Sequence, residues 1–182
     1  MSKEHAAWKG TCDLSFINRS HCQNSTSYTI HQGSYQAPLK LMRAIRKPDG
    51  RCELPILHTA GGLVGGDLLV VKVLAKKGSR SLITNVAAQK VYGSVGRLKD
   101  YPEGKWAMQN CHFEIHEDSD LEWMPQEVIV FADGLFEQQM LVELSPSSSF
   151  LSAEVVRLGR TSSGETLGLG CWRSNLEISR KS

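Results

Sequence analysis

The chain has 182 residues, 41% of them hydrophobic and 22% charged, with 21 basic against 19 acidic side chains for a net charge of +2. That length and balance suit a single soluble domain over residues 1–182, long enough to bury a core. Near-neutral charge without a Lys/Arg run leaves no electrostatic footprint for nucleic acid, and no apolar run approaches bilayer-spanning length.

The N-terminus, Met1 to Trp8, mixes both charge signs and has no apolar segment of signal-peptide character. Five cysteines (Cys12, Cys22, Cys52, Cys111 and Cys171) are odd in number, with no C-x-x-C and no Cys/His pairing at structural-zinc spacing. The expectation is a cytoplasmic protein with reduced thiols and no membrane or nucleic-acid partner. Tyr28–Ile30 alternates as a strand does, and Ala37–Arg43 continues after a break at Gly33. Pro48-Asp-Gly50 is a turn, because Pro fixes φ and Gly accepts a positive one. Cys52–Leu57 then runs into the block His58-Thr-Ala-Gly-Gly-Leu-Val-Gly-Gly-Asp67.

Beyond that block the Val content of Leu68–Ala75, closed by Lys76–Ser79, favours a strand. Ser81–Val86 and Trp106–His116 read as strands too. Pro125 splits the block Leu121–Phe131, since Pro donates no ladder hydrogen bond and pushes Met124 towards extended geometry. Glu127–Phe131 is β-rich and ends at Asp133-Gly134; Met140–Leu144 is a further strand. Leu151, Val155 and Leu158 have i, i+4, i+7 spacing with Gly159 as a C-terminal cap, which predicts a short helix. A turn at Ser162–Gly164 and strand-like alternation from Trp172 to Ile178 follow. No sequence repeat stands out. The class is mainly β: a multi-stranded sheet scaffold with one or two short helices.

The glycine block does not cradle phosphate. A phosphate loop needs Lys and Ser/Thr after its last glycine, whereas Gly66 precedes Asp67, and Gly61, Gly62, Gly65 and Gly66 do not fit the dinucleotide fingerprint. Two tight turns, or places of close backbone approach, explain the glycines. His58 is either hydrogen-bonded scaffolding or a ligand. His112 and His116 share a strand face but stand too far apart to chelate one ion without a third element. Glu127 shares a face with Ile129 and Phe131; it either reaches solvent at a strand end or lines an internal polar passage where it attracts a divalent cation. Glu165, after the Arg160–Gly164 turn, has the same two readings. Lys90 and Tyr92 lie on one face if extended. No G-x-S-x-G or other nucleophile–base set is present.

Trp8, Ala37-Pro-Leu-Lys40, Leu57–Asp67, Ala87-Ala-Gln-Lys-Val-Tyr92, Leu121-Glu-Trp-Met-Pro-Gln-Glu127 and Leu158-Gly-Arg-Thr-Ser-Ser-Gly-Glu165, taken in order, resemble the urease accessory protein family UreD, called UreH in some systems. Within these blocks His58, the four glycines, Asp67, Lys90, Tyr92, Trp123, Pro125, Gln126, Gly159, Arg160 and Gly164 carry the resemblance. It implies a β scaffold without catalysis of its own and with no tightly bound cofactor. It also implies binding to the urease apoprotein, together with UreF and the GTPase UreG, for nickel insertion. A passage through the subunit is implied as the ion's route, with Glu127 and Glu165 as candidate ligands for nickel in transit. Gly93 stands where the family often has Arg, and family members usually continue beyond Ser182. Two alternatives remain: a metal-dependent enzyme using His58, Asp67 and Glu127, or a β-domain that only binds a partner.

Overall fold

A computed structural model describes residues 7–20, 27–97 and 99–181; Cys22 and the segment Met1–Ala6 lie outside them. The chain winds as a three-sided coil. Strand β1 (Lys9–Ser20) belongs to the first side, with β2 (Ser27–Gln36) folded back antiparallel on it. On the second side, β3 (Leu39–Leu41) and β4 (Ile45–Arg46) pair antiparallel with β5 (Cys52–His58). From there each turn of the coil contributes one strand to each side. These are β6 (Leu68–Ala75), β7 (Arg80–Asn85) and β8 (Gln89–Val91); then β9 (Ala107–Ile115), β10 (Asp120–Met124) and β11 (Val128–Val130); then β12 (Leu135–Leu144), β13 (Ser149–Ser152) and β14 (Val156–Leu158). Finally β15 (Cys171–Arg180) returns to the first side.

Like strands of successive turns pair in parallel, giving sheets ordered β15-β12-β9-β6-β1-β2, β13-β10-β7-β5-β3 and β14-β11-β8. This is solenoid logic, in which each turn is stabilised by its neighbours along the axis. Parallel register stacks inward residues into columns. Val71, Cys111 and Met140 form one, and Val73, Phe113 and Val142 the next. Both columns run on into β15 at Leu176 and Ile178, yet these are 54% and 51% exposed because β15 is the last strand of its sheet.

The corners between the first two sides also stack. Ser79, Ser119 and Ser148 are each buried and donate their backbone N–H back to Lys76, His116 and Ser145. Asp120 N–H then bonds Ser79 O, and Ser149 N–H bonds Ser119 O, so each corner seats the next.

The helix expected from Leu151 to Leu158 is not formed. That stretch is β13 and β14, paired with β10 and β11, and the supposed apolar stripe of Leu151, Val155 and Leu158 is exposed. Parallel pairing with a ready-made edge outweighs a weak helical spacing, and Val155 and Val156 favour extended backbone. Among the described residues the single helical element is a 3₁₀ turn, Thr161–Ser163, ended by Gly164 at φ 72°.

Candidate functional site

The sequence blocks meet on and behind the third sheet. Leu63 extends that sheet: its N–H bonds Lys90 O, and its own carbonyl accepts from Tyr92 N–H. Gly61 and Gly66 take positive φ, 76° and 99°. Gly62 instead allows close approach, since a Cβ there would stand 2.5 Å from Tyr92 Cε2. Asp67 is buried and closes the loop by accepting hydrogen bonds from Trp8 N–H (2.8 Å) and Val64 N–H (3.0 Å). On the outer face, Lys90, Ile129 and Arg157 are aligned in register. Beside them Tyr92 meets Phe131 edge-on at 5.1 Å, and the Arg160 guanidinium lies 4.6 Å above Phe131.

Both acidic candidates are on this outer side. Val128 and Val130 point into the core, so strand alternation turns Glu127 outwards, where it stands 3.8 Å from Arg157. Glu165 is held more firmly. Its carboxylate accepts from Ala132 N–H (3.0 Å), from Arg160 N–H (3.3 Å) and from Arg160 Nε (2.9 Å), with a second guanidinium contact from Nη2. The Arg160 hydrogen bonds, with help from Ala132 N–H, pull its pKa down to about 2. Gly159 permits this hairpin, because a Cβ there would stand 2.4 Å from Glu165 O. Neither carboxylate lines the interior.

The interior itself carries a polar seam. On the inner face of the first sheet Gln109, Gln138 and Ser174 are stacked in register, between apolar columns. Facing them from the other sheets are His58, Asn85, Gln89 and Trp123. An open depression of about 260 Å³ at the Ala87–Lys90 block is lined by His58, Asn85 and Gln89. The same three residues, with Gln109 and Trp123, line an internal cavity of about 20 Å³, room for roughly one water. Gln109 also lines a third space of about 190 Å³ beside β15, walled by Cys111, Gln138, Met140, Ser152 and Glu154. The three cavities thus share walls in sequence along the axis.

Two buried polar atoms in this seam have no partner among the described residues: His58 Nε2 and Trp123 Nε1. Burial holds the His58 imidazole below the ordinary histidine range, against a smaller upward pull from the Asp67 charge. Gln89 Nε2 is shared between Lys90 O (3.1 Å) and His58 Nδ1 (3.5 Å). Trp172 Nε1 donates to Gln138 Oε1 (2.9 Å), whose Nε2 in turn reaches Glu154 Oε1 (3.4 Å).

His58 is therefore the one residue of the enzyme reading that faces the seam. Asp67 spends both oxygens on the loop, and Glu127 is outside. Pro125 and Gln126 make the corner between β10 and β11. His112 and His116 pair with Glu143 and Glu114, each at 3.0 Å, as surface scaffolding. Among the described residues no three His, Cys, Asp or Glu side chains converge into a metal-holding group. Gln109, Gln138 and Glu154 had no motif to mark them; alternation within Ala107–Ile115 placed Gln109 on the apolar face, which was the available signal.

Residues 9–182 match the family described as UreD urease accessory protein. The chain is 59% identical over 175 residues to "Urease accessory protein UreD" of Prochlorococcus marinus (strain MIT 9303), covering 96% of this chain and 58% of that protein. The protein of the same description from strain MIT 9313 is 58% identical, with 96% and 55% covered. That of Synechococcus sp. (strain WH7805) is 55% identical, with 96% and 54% covered. The chain thus spans a little over half the length of these curated relatives.

Proposed function

Because the chain belongs to the UreD family of urease accessory proteins, we propose that it is a non-catalytic scaffold that binds the urease apoprotein and, with UreF and the GTPase UreG, supports nickel insertion, the ion passing along the polar seam of the coil. The observation that carries this reading is the run of His58, Gln89, Gln109 and Gln138 through an otherwise apolar interior. The buried His58 Nε2 and Trp123 Nε1, which have no partner among the described residues, cost stability beside these amides, so a role for the seam is called for.

The chemistry suits a mobile divalent cation. A neutral imidazole and amide oxygens are ligands without charge, and each amide can rotate its oxygen towards the axis. Burial keeps His58 in the unprotonated form that ligation needs. At the internal cavity of about 20 Å³ a fully hydrated ion does not fit, so it sheds water and is handed from ligand to ligand. Glu127 and Glu165 do not serve this route; each pairs with an arginine on the outer face.

The outer face of the third sheet, with Tyr92, Ile129 and Phe131 among cations, serves contact with the assembly. The test is co-expression with UreF, UreG and apo-urease, then size-exclusion chromatography and urease activation with nickel and GTP. Co-elution with activation that falls in Gln109→Leu is expected. Co-elution with activation indifferent to Gln109→Leu and Gln138→Leu would sink the transit route and leave a partner-binding domain.

A further inference from the structure

The motif blocks meet on one outer face. The outward side of β8, β11 and β14 carries the row Lys90, Ile129 and Arg157, so at ordinary strand spacing two cations flank one apolar residue across about 10 Å. Beside that row lie Tyr92, exposed, and Phe131, half-buried, with the Arg160 guanidinium 4.6 Å from the Phe131 ring. Arg97 closes this end: its Nε is 3.3 Å from where a Cβ on Gly93, the residue after Tyr92, would stand. All four cations are exposed, and much of their bonding capacity is unspent. Among the described residues Lys90 and Arg97 meet no carboxylate, Arg157 reaches Glu127 only at 3.8 Å, and Arg160 gives Nε and Nη2 to Glu165 while Nη1 stays unused.

We propose that this face docks an acidic segment of a partner protein, one whose carboxylates stand on either side of an apolar residue. That the partner belongs to the urease assembly rests on the reading above; the chemistry of the face does not. Four cations stand against two carboxylates, Glu127 and Glu165, and Glu165 is already taken up by Arg160. The surplus is positive, which draws carboxylates, and Ile129 and Tyr92 offer apolar surface for a residue between them to cover. The groups are also fixed beforehand. Gly62 lets the Tyr92 ring lie against the chain, and Glu165, anchored by Ala132 N–H, holds Arg160 over Phe131. Side chains already held lose less freedom on binding. A nucleic-acid backbone fits less well, because its phosphates form an unbroken line of charge, whereas Ile129 interrupts the cations and Glu127 stands beside Arg157.

The experiment measures binding of the full chain to a short fluorescent peptide of alternating Glu and Phe, at low and at physiological salt, beside co-elution with UreF, UreG and apo-urease. A double variant, Lys90→Met with Arg157→Met, removes two charges but keeps apolar stems on an exposed face, so it is expected to fold, which thermal melts verify. It is expected to bind the peptide and the assembly about tenfold more weakly, with a shallower dependence on salt, while Lys90→Arg binds as the parent does. A peptide of alternating Lys and Phe is expected not to bind. Unchanged affinity in the double variant, or duplex DNA bound more tightly than the acidic peptide, overturns the proposal. If the double variant loses the peptide but UreF, UreG and apo-urease do not co-elute with the parent, the docking face stands and the assembly reading falls. If parent and double variant co-elute equally with them, the assembly reading stands and the docking face falls.

Discussion

Replacing Asp67 by alanine tests how the glycine block is held. The carboxylate is 6% exposed and accepts two backbone N–H bonds, from Trp8 at 2.8 Å and Val64 at 3.0 Å. Hydrogen bonds to a charged group contribute about 1.5–3 kcal/mol each. Trp8 and Val64 are themselves 54% and 47% exposed, so water recovers part of the loss, and the lower end applies. The expected cost is about 2–3 kcal/mol, a fall in Tm of roughly 5–10 °C for a chain of this size. Asp67→Asn keeps one acceptor but turns an amide donor towards the other N–H, so it loses an intermediate amount. Thermal denaturation followed by circular dichroism measures both, and hydrogen exchange at the Trp8 and Val64 amides locates the change. An Asp67→Ala protein that melts within 1 °C of the parent, with those amides equally protected, would refute the anchoring argument.

Three further outcomes follow from the geometry. Glu165 is held near pKa 2 against an ordinary 4.5, so its pairing stabilises fully above about pH 4.5 and is lost as pH falls towards 2; chemical denaturation across that window should show Glu165→Gln losing less stability than the parent, and parallel curves would contradict the pairing. Gly62→Ala should cost about 1–3 kcal/mol by driving a methyl into the Tyr92 ring, and Tyr92→Ala in the same chain should relieve most of it; equal costs in both backgrounds would mean that the ring is not the obstacle. In the urease activation assay Glu127→Ala should match the parent while Gln109→Leu falls, with Gln109→Leu melting no lower than the parent; the opposite pattern would return the route to the outer acids.

Much of the strand content was legible, because Val-rich runs and Gly/Pro punctuation mark β6, β7, β9 and the Pro125 corner. The coil was not. Its repeat lies in backbone register rather than residue identity: Arg80 pairs with Asp120 and Asp120 with Ser149, three unlike side chains in one column. Only the corner serines, Ser79, Ser119 and Ser148, recur, and their spacing varies with the loops between turns. The helix expected over 151–158 failed for the same reason, since the edges of β10 and β11 that claim this stretch are distant in sequence. Glu127 drew notice because it shares a strand face with Ile129 and Phe131, and Glu165 because it follows the Arg160–Gly164 turn, but alternation at Val128 and Val130 turns one outwards and Arg160 occupies the other. The seam went unseen because Gln109, Gln138 and Ser174 become neighbours only after the coil has closed.

That seam sets stability against use. Each glutamine amide in an apolar column costs on the order of 1–3 kcal/mol unless its hydrogen bonds are met. Gln138 satisfies this with Trp172 and Glu154, whereas Gln109 has only a weak sulfur contact at 3.7 Å. A purely structural core at this position would be served better by leucine, which continues Leu69 in the same column. Gln109 is half-buried, and its side chain lines both the narrow cavity and the open one. On the transit reading proposed above, a residue at the junction of the two cavities is placed for what passes between them.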